Sequence, residues 1–161
     1  MAGPTHLSEE AHSLRGAIDR KALITIRDLY AEEEPLATAH LDDYLSPYLL
    51  TIELDDGLLD AQSARIDVQW TTHGDYKFHY TDEQNRNFRW GNHPTGGDFP
   101  LVDGLAHFHP PPNASSGPSD VENSCIEQVD VYLVTRAVMK LWRVAYHRDT
   151  LTFLNAGDNP P

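Results

Sequence analysis

Ala64-Arg65-Ile66-Asp67-Val68-Gln69-Trp70, then His73-Gly74-Asp75, then Tyr76-Lys77-Phe78-His79-Tyr80, is the stretch on which the fold turns. Ile66, Val68 and Trp70 share one parity; Arg65, Asp67 and Gln69 share the other. Side chains of an extended chain point alternately to opposite faces, so this is a strand with one apolar and one polar side. Tyr76, Phe78 and Tyr80 repeat the pattern, with Lys77 and His79 on the opposite face. His73-Gly74-Asp75 turns the chain between them, and Asp82 to Asn85 turns it again. Asn87 to Trp90 is a further strand, with Phe88 and Trp90 on a common face. Connections this short join neighbouring antiparallel strands.

Upstream, Tyr48 to Leu54 reads as a strand that Asp55-Asp56-Gly57 ends. Residues 23–46 stay open: Leu23-Ile24-Thr25-Ile26 fits a strand, and Leu29 to Tyr44 fits a helix on either side of Pro35. Ser8-Glu9-Glu10-Ala11 fits a helix start, with Leu14, Ala17, Ile18 and Ala22 following at helical spacing.

Downstream, Gly91 to Gly97 reads as a loop, Leu101 to Phe108 holds one more short strand, and residues 110–118 form a surface connector. Ser119-Asp120-Val121-Glu122 fits a capping box. Behind it Ile126, Val129, Leu133, Ala137, Leu141 and Val144 step by threes and fours, which predicts a helix over 119–147. Thr150 to Leu154 reads as an edge strand, and residues 1–7 and 157–161 as frayed ends.

A sheet with one apolar face needs a cover, and the C-terminal helix carries the matching stripe. The expectation is one α+β domain over residues 1–161. It is an antiparallel meander of about four to five strands, packed by a long C-terminal helix and an N-terminal helix.

The 161 residues carry a formal charge of −13, from 25 Asp and Glu against 12 Lys and Arg. Asp outnumbers Glu 16 to 9, and Lys21, Lys77 and Lys140 are the only lysines. An Asp-rich, Lys-poor surface suits a halophile, where salt shortens the screening length to about 3 Å at molar concentration. The bulk charge argues against a general nucleic-acid coat, an objection that high salt weakens by screening, and Arg65, Arg86 and Arg89 offer a local positive patch. No run approaches the roughly 18 apolar residues of a membrane span, and no signal-like N-terminal segment is seen, so a cytoplasmic location is expected. Cys125 is the sole cysteine, which excludes an intrachain disulfide. On an amphipathic helix it reads as a small buried hydrophobe.

Chemistry concentrates between Tyr76 and Pro112, which holds four of the nine His and two Arg. His107 and His109 flank Phe108, so on an extended backbone both imidazoles face one way; His93-Pro94 adds a third. Adjacent imidazoles can split the roles of base and acid, as cleavage at phosphorus requires. Arg89 supplies fixed positive charge for a phosphate. Asn92 offers a donor for a non-bridging oxygen, and Tyr80 or His79 offers contacts to a base or to a ring of the site. The catalytic candidates are therefore His93, His107, His109 and Arg89, and the substrate-binding candidates are Tyr80, Asn92 and His79.

The same imidazoles admit other readings. His-x-His with His93 upstream can bind a divalent ion, completed by Asp98 or Asp103. Loop histidines also cap carbonyls and pack on Pro and Phe without further role. The carboxylate runs Glu32-Glu33-Glu34, Asp42-Asp43 and Asp55-Asp56 read as solvated surface or turns, and Gly96-Gly97 lacks the lysine of a phosphate loop. Tyr76, Phe78, Phe88 and Trp70 read as core.

Phe78-His79-Tyr80, Phe88-Arg89-Trp90-Gly91-Asn92-His93-Pro94, Phe99-Pro100 and His107-Phe108-His109-Pro110 together resemble the TumE-like toxins of prokaryotic toxin–antitoxin pairs. The resemblance implies a small antiparallel-sheet domain and a ribonuclease acting on cellular RNA. It also implies a helix-turn-helix antitoxin partner, and a homodimer is compatible with it. Three readings follow. The first is a metal-independent ribonuclease toxin that needs no cofactor. The second is a non-enzymatic binding module, and the third is a protein with a divalent metal at His93, His107 and His109.

Overall fold

The computed structural model describes residues 14–156. Among these residues two helices, α1 (Arg20–Glu33) and α2 (Val131–Arg148), flank seven strands. These are β1 (Ala37–Leu41), β2 (Leu50–Leu54), β3 (Ala64–Trp70), β4 (Tyr76–Asp82), β5 (Asn87–Asn92), β6 (Ala106–His109) and β7 (Glu122–Asn123). The strands form one sheet in strict sequence order, each antiparallel to the next. The α+β class stands, with more strands than the four to five expected.

Register carries the alternating parity across the sheet. Val68 pairs with Phe78, Phe78 with Trp90, and Trp90 with Phe108, so one apolar row crosses four strands. Ile66, Tyr80 and Phe88 form the next row. Trp70 stacks on Tyr76 at 4.7 Å and Tyr80 on Phe88 at 4.6 Å. Such cross-strand aromatic pairs contribute about 0.5–1.5 kcal/mol each beyond their buried area. Trp70, Tyr76, Phe78 and Phe88 are core, as the sequence suggests.

Both helices lie on that face. α1 buries Leu23, Ile26, Leu29 and Tyr30, and α2 buries Val134, Val138, Leu141 and Trp142 in the same cluster. Asp19 caps α1 by accepting from the Ala22 amide. Leu23 to Ile26 is therefore helical rather than a strand, and the expected start at Ser8 lies outside the described residues. Glu34 is already extended before Pro35, and Ala37 to Leu41 leaves as β1, not as helix. The strand read from Tyr48 begins at Leu50, because Asp42 accepts from the Tyr48 and Leu49 amides and holds them in a turn.

Two larger corrections fall in the C-terminal third. The helix read over 119–147 starts only at Val131, where Asp130 accepts from the Tyr132 and Leu133 amides. Ahead of it Glu122 and Asn123 pair with Phe108 and His107 as β7. Cys125 is buried as expected, but in the irregular stretch ahead of the helix, and burial pushes its thiol up to about 11. The segment 150–154 forms turns rather than an edge strand. It closes the core, with the Leu154 carbonyl accepting from Trp90 Nε1 at 3.1 Å. The connector 110–118 is irregular, as read. No helix among the described residues is long and apolar enough to cross a membrane.

Candidate functional site

The helices cover one face of the sheet, and the odd-numbered residues of β4, β5 and β6 point to the other. Register places Lys77 beside Gly91, His79 beside Arg89, Gly91 beside His107 and Arg89 beside His109. The loop read over 91–97 starts two residues later than expected, since Gly91 and Asn92 belong to β5. His93 follows directly and returns its ring to the same face.

The three imidazoles meet there. The His93 and His107 ring centres are 4.5 Å apart, and those of His107 and His109 are 5.1 Å apart, each pair edge to face. His93 and His109 are 5% exposed and His107 1%. Each Nδ1 sits against a backbone carbonyl: His93 on Pro94, His107 on Leu105, His109 on Ser115, at 2.7 to 2.9 Å. A carbonyl only accepts, so each Nδ1 carries the hydrogen and each Nε2 is left with its lone pair. Arg89 Nη2 donates to His109 Nε2 at 3.1 Å. The His93 Nε2 is buried without a hydrogen-bond partner among the described residues.

Gly91 is the floor of this cluster. A Cβ at that position would lie 3.0 Å from His107 Nε2 and 3.4 Å from His93 Nε2. Glycine lets both ring nitrogens approach the strand backbone and each other.

Electrostatics keeps the rings uncharged. Burial pushes His93 down to about 4, helped by His107, Lys77 and Arg89, while its bond to Pro94 works the other way. Burial, then Arg89, pushes His109 down to about 3. Burial lowers His107 also, and Arg89 and Lys77 add to it. Near neutrality the cluster holds three neutral bases beside two cations. Desolvation and neighbouring positive charge both disfavour imidazolium.

Lys77 is the group that sequence reasoning missed. It is 6% exposed and sits on the cluster face of β4, two residues before His79. Its parity with His79 and Arg89 was the available signal. His79 stands on the same face, with its Nε2 3.1 Å from Asn87 Oδ1.

Two expected contacts fall elsewhere. Tyr80 points into the core, where its hydroxyl donates to Asp82 Oδ2 at 3.0 Å and accepts from the Leu58 amide at 3.0 Å. Asn92 takes the even parity too and donates to the Gly74 carbonyl at 3.3 Å, away from the imidazoles. The Arg65, Arg86 and Arg89 patch does not form. Arg65 pairs with Asp67, Arg86 pairs with Asp60 and Asp82, and Arg89 alone faces the histidines. Asp103 accepts from Asn123, and no three His, Cys, Asp or Glu side chains among the described residues are grouped to hold a metal. Of the carboxylate runs, Glu34 is not solvated surface; it is buried against Arg143 at 2.8 Å.

No curated protein and no solved structure matches the chain. A family model described as "Toxin TumE" matches residues 26–142, a span that holds all seven strands and part of each helix. With most of its length inside that match, the chain belongs to the TumE toxin family.

Proposed function

We propose that this toxin is a metal-independent ribonuclease whose site is the His93, His107, His109 and Arg89 cluster. His107 Nε2 is the general base that takes the proton of a ribose 2′-hydroxyl. The alkoxide oxygen attacks the adjacent phosphorus, and the bond to the 5′-oxygen breaks. His93 is the acid that protonates that leaving oxygen. Arg89 balances the charge that grows on the phosphoryl oxygens, and His109 holds Arg89 in place.

The observation that carries this reading is Arg89 Nη2 on His109 Nε2, with two further Nε2 atoms converging over Gly91. A fixed cation beside lone pairs suits an anion that also needs a base. His93 at about 4 cannot serve as an acid in the free protein near neutrality. A phosphodiester entering the cluster supplies negative charge, raises the ring affinities and draws a proton onto His93. RNA binding is therefore coupled to proton uptake. Access requires the connector to yield, since its Ser115 carbonyl holds His109 and its Pro112 carbonyl accepts from the Asn87 amide.

His79 is retained as an RNA contact, and Lys77 joins it as a second cation on that face. The antitoxin that the family implies is read as a helix-turn-helix protein, and the setting as a cytoplasm, of high salt by its acidic composition.

A divalent ion at the imidazoles is the second reading, and the weaker one, since no three such side chains among the described residues are grouped to hold a metal. Carbonyl-anchored Nδ1 atoms are also how metal-binding histidines are held. Against it, the Arg89 guanidinium occupies the neighbourhood of His109 Nε2 with a permanent charge of the wrong sign for a cation.

The test is cleavage of single-stranded RNA by the purified chain in excess EDTA. Cleavage that His107→Ala abolishes, with the fold intact by circular dichroism, supports the proposal. No cleavage at all returns the protein to a binding role, and cleavage only with added metal favours the second reading.

A further inference from the structure

A third of the chain's cations gather on the layer opposite the imidazoles. Arg136, Lys140, Arg143 and Arg148 of α2 line a groove of about 530 Å³, whose other wall is Glu33 at the end of α1. They are four of the 12 Lys and Arg of a chain whose formal charge is −13. Arg136 lies 3.3 Å from Glu33 with half its side chain exposed, and Arg143 is tied to Glu34 and to the Glu33 carbonyl. Met139 and Val144 give the groove an apolar lining. In the first turn of the same helix, Leu133 is an exposed large apolar side chain.

We infer that this groove docks an acidic amphipathic helix of a protein partner, the antitoxin that family membership implies. Charge complementarity selects an anionic occupant, because the rest of this acidic surface repels one and the groove does not. The mixed lining selects polypeptide over nucleic acid. Glu33 opposes a row of phosphates, and RNA has no aliphatic groups to cover Leu133, Met139 and Val144. A helix does, and its carboxylates recur at the same three- and four-residue steps as Arg136, Lys140 and Arg143. The site lies on the helical layer, so a helix bound there leaves the imidazole face uncovered. The inference rests on family membership and not on the ribonuclease reading.

Calorimetric titration of the full chain tests it, with three probes: a helical peptide of Leu and Glu, the same peptide with Gln for Glu, and oligouridylate. Three proteins are compared: the unaltered chain, Arg136→Glu/Lys140→Glu, and Leu133→Asp. All the altered positions are exposed, and circular dichroism verifies their fold. The Leu/Glu peptide should bind the unaltered chain and weaken about tenfold or more in both variants. The Gln peptide should bind the unaltered chain about tenfold more weakly than the Leu/Glu peptide. Oligouridylate affinity should be the same for all three proteins. No binding of the Leu/Glu peptide to the unaltered chain overturns the inference, as does unchanged affinity in the charge-reversed variant. Loss of oligouridylate binding in that variant also overturns it and assigns the groove to RNA.

Discussion

Arg89 and His109 stand opposite each other on β5 and β6, and the guanidinium Nη2 donates to the imidazole Nε2 at 3.1 Å. The contact ties a permanent cation to a ring whose other nitrogen is held by the connector. It couples the charge of the cluster to the segment that covers it.

Replacing Arg89 by Gln removes the second-largest cause of the low His109 affinity for protons, burial being the first. His109 should then titrate above about 3 but still below 6.5, read from the ring resonances in an NMR pH series. RNA cleavage should fall by about 100- to 1,000-fold, the scale of losing one charge-stabilising donor. An unmoved His109 would show that Arg89 does not act on it.

The imidazoles make the fold acid-sensitive in a defined window. His93 and His109 bind protons less readily folded, at about 4 and about 3, than at the ordinary 6.5 of an unfolded chain. Their contribution is fully present above about 6.5. It is lost as pH falls from there toward the folded values, where the unfolded chain binds more protons. The melting temperature should therefore drop between pH 6.5 and 4, and His93→Gln should drop less steeply. Identical slopes for the two proteins would remove His93 from this linkage.

Gly91→Ala drives a methyl to within 3.0 Å of His107 Nε2 and 3.4 Å of His93 Nε2. The rings must separate, at a cost of about 1–3 kcal/mol for overpacking. Denaturant midpoints should register that loss, and cleavage by the folded fraction should fall further than stability does. Wild-type cleavage in this variant would mean that the two nitrogens need not converge.

Tyr80→Phe separates the core role from the substrate role. The Leu58 amide and Asp82 lose a buried partner, which costs about 1–3 kcal/mol. Cleavage per folded molecule should be unchanged, because the ring lies on the helical side of the sheet. A selective loss of RNA affinity would return Tyr80 to the site.

Much of the sheet was legible because period two is a local property. The Ile66, Val68, Trp70 and Tyr76, Phe78, Tyr80 parities predicted both the strands and the face they bury. The same parity already separated Tyr80 and Asn92 from His79 and Arg89, and placed Lys77 with them. What escaped depends on distant partners. Glu122 and Asn123 become a strand because β6 offers its free edge. Their neighbours Ile126 and Val129 sit at helical spacing by coincidence, and Val129 is exposed. β1 does alternate, with Ala37, Ala39 and Leu41 against Thr38 and His40, but it is a five-residue edge strand with two alanines, too short and too weakly apolar to outweigh a helical reading of 29–44. The meeting of His93 with His107 was expected from residue types alone; the carbonyls that orient the rings, and Gly91 beneath them, appear only in three dimensions.

A strictly sequential sheet can be laid down in the order the ribosome delivers it, each new strand joining the one just made. Among the described residues α2 and the turns at 151–155 emerge last, and until they arrive Phe78, Phe88 and Trp90 lack part of their cover. The nascent chain thus pairs the strands of its imidazole face before its apolar face is covered.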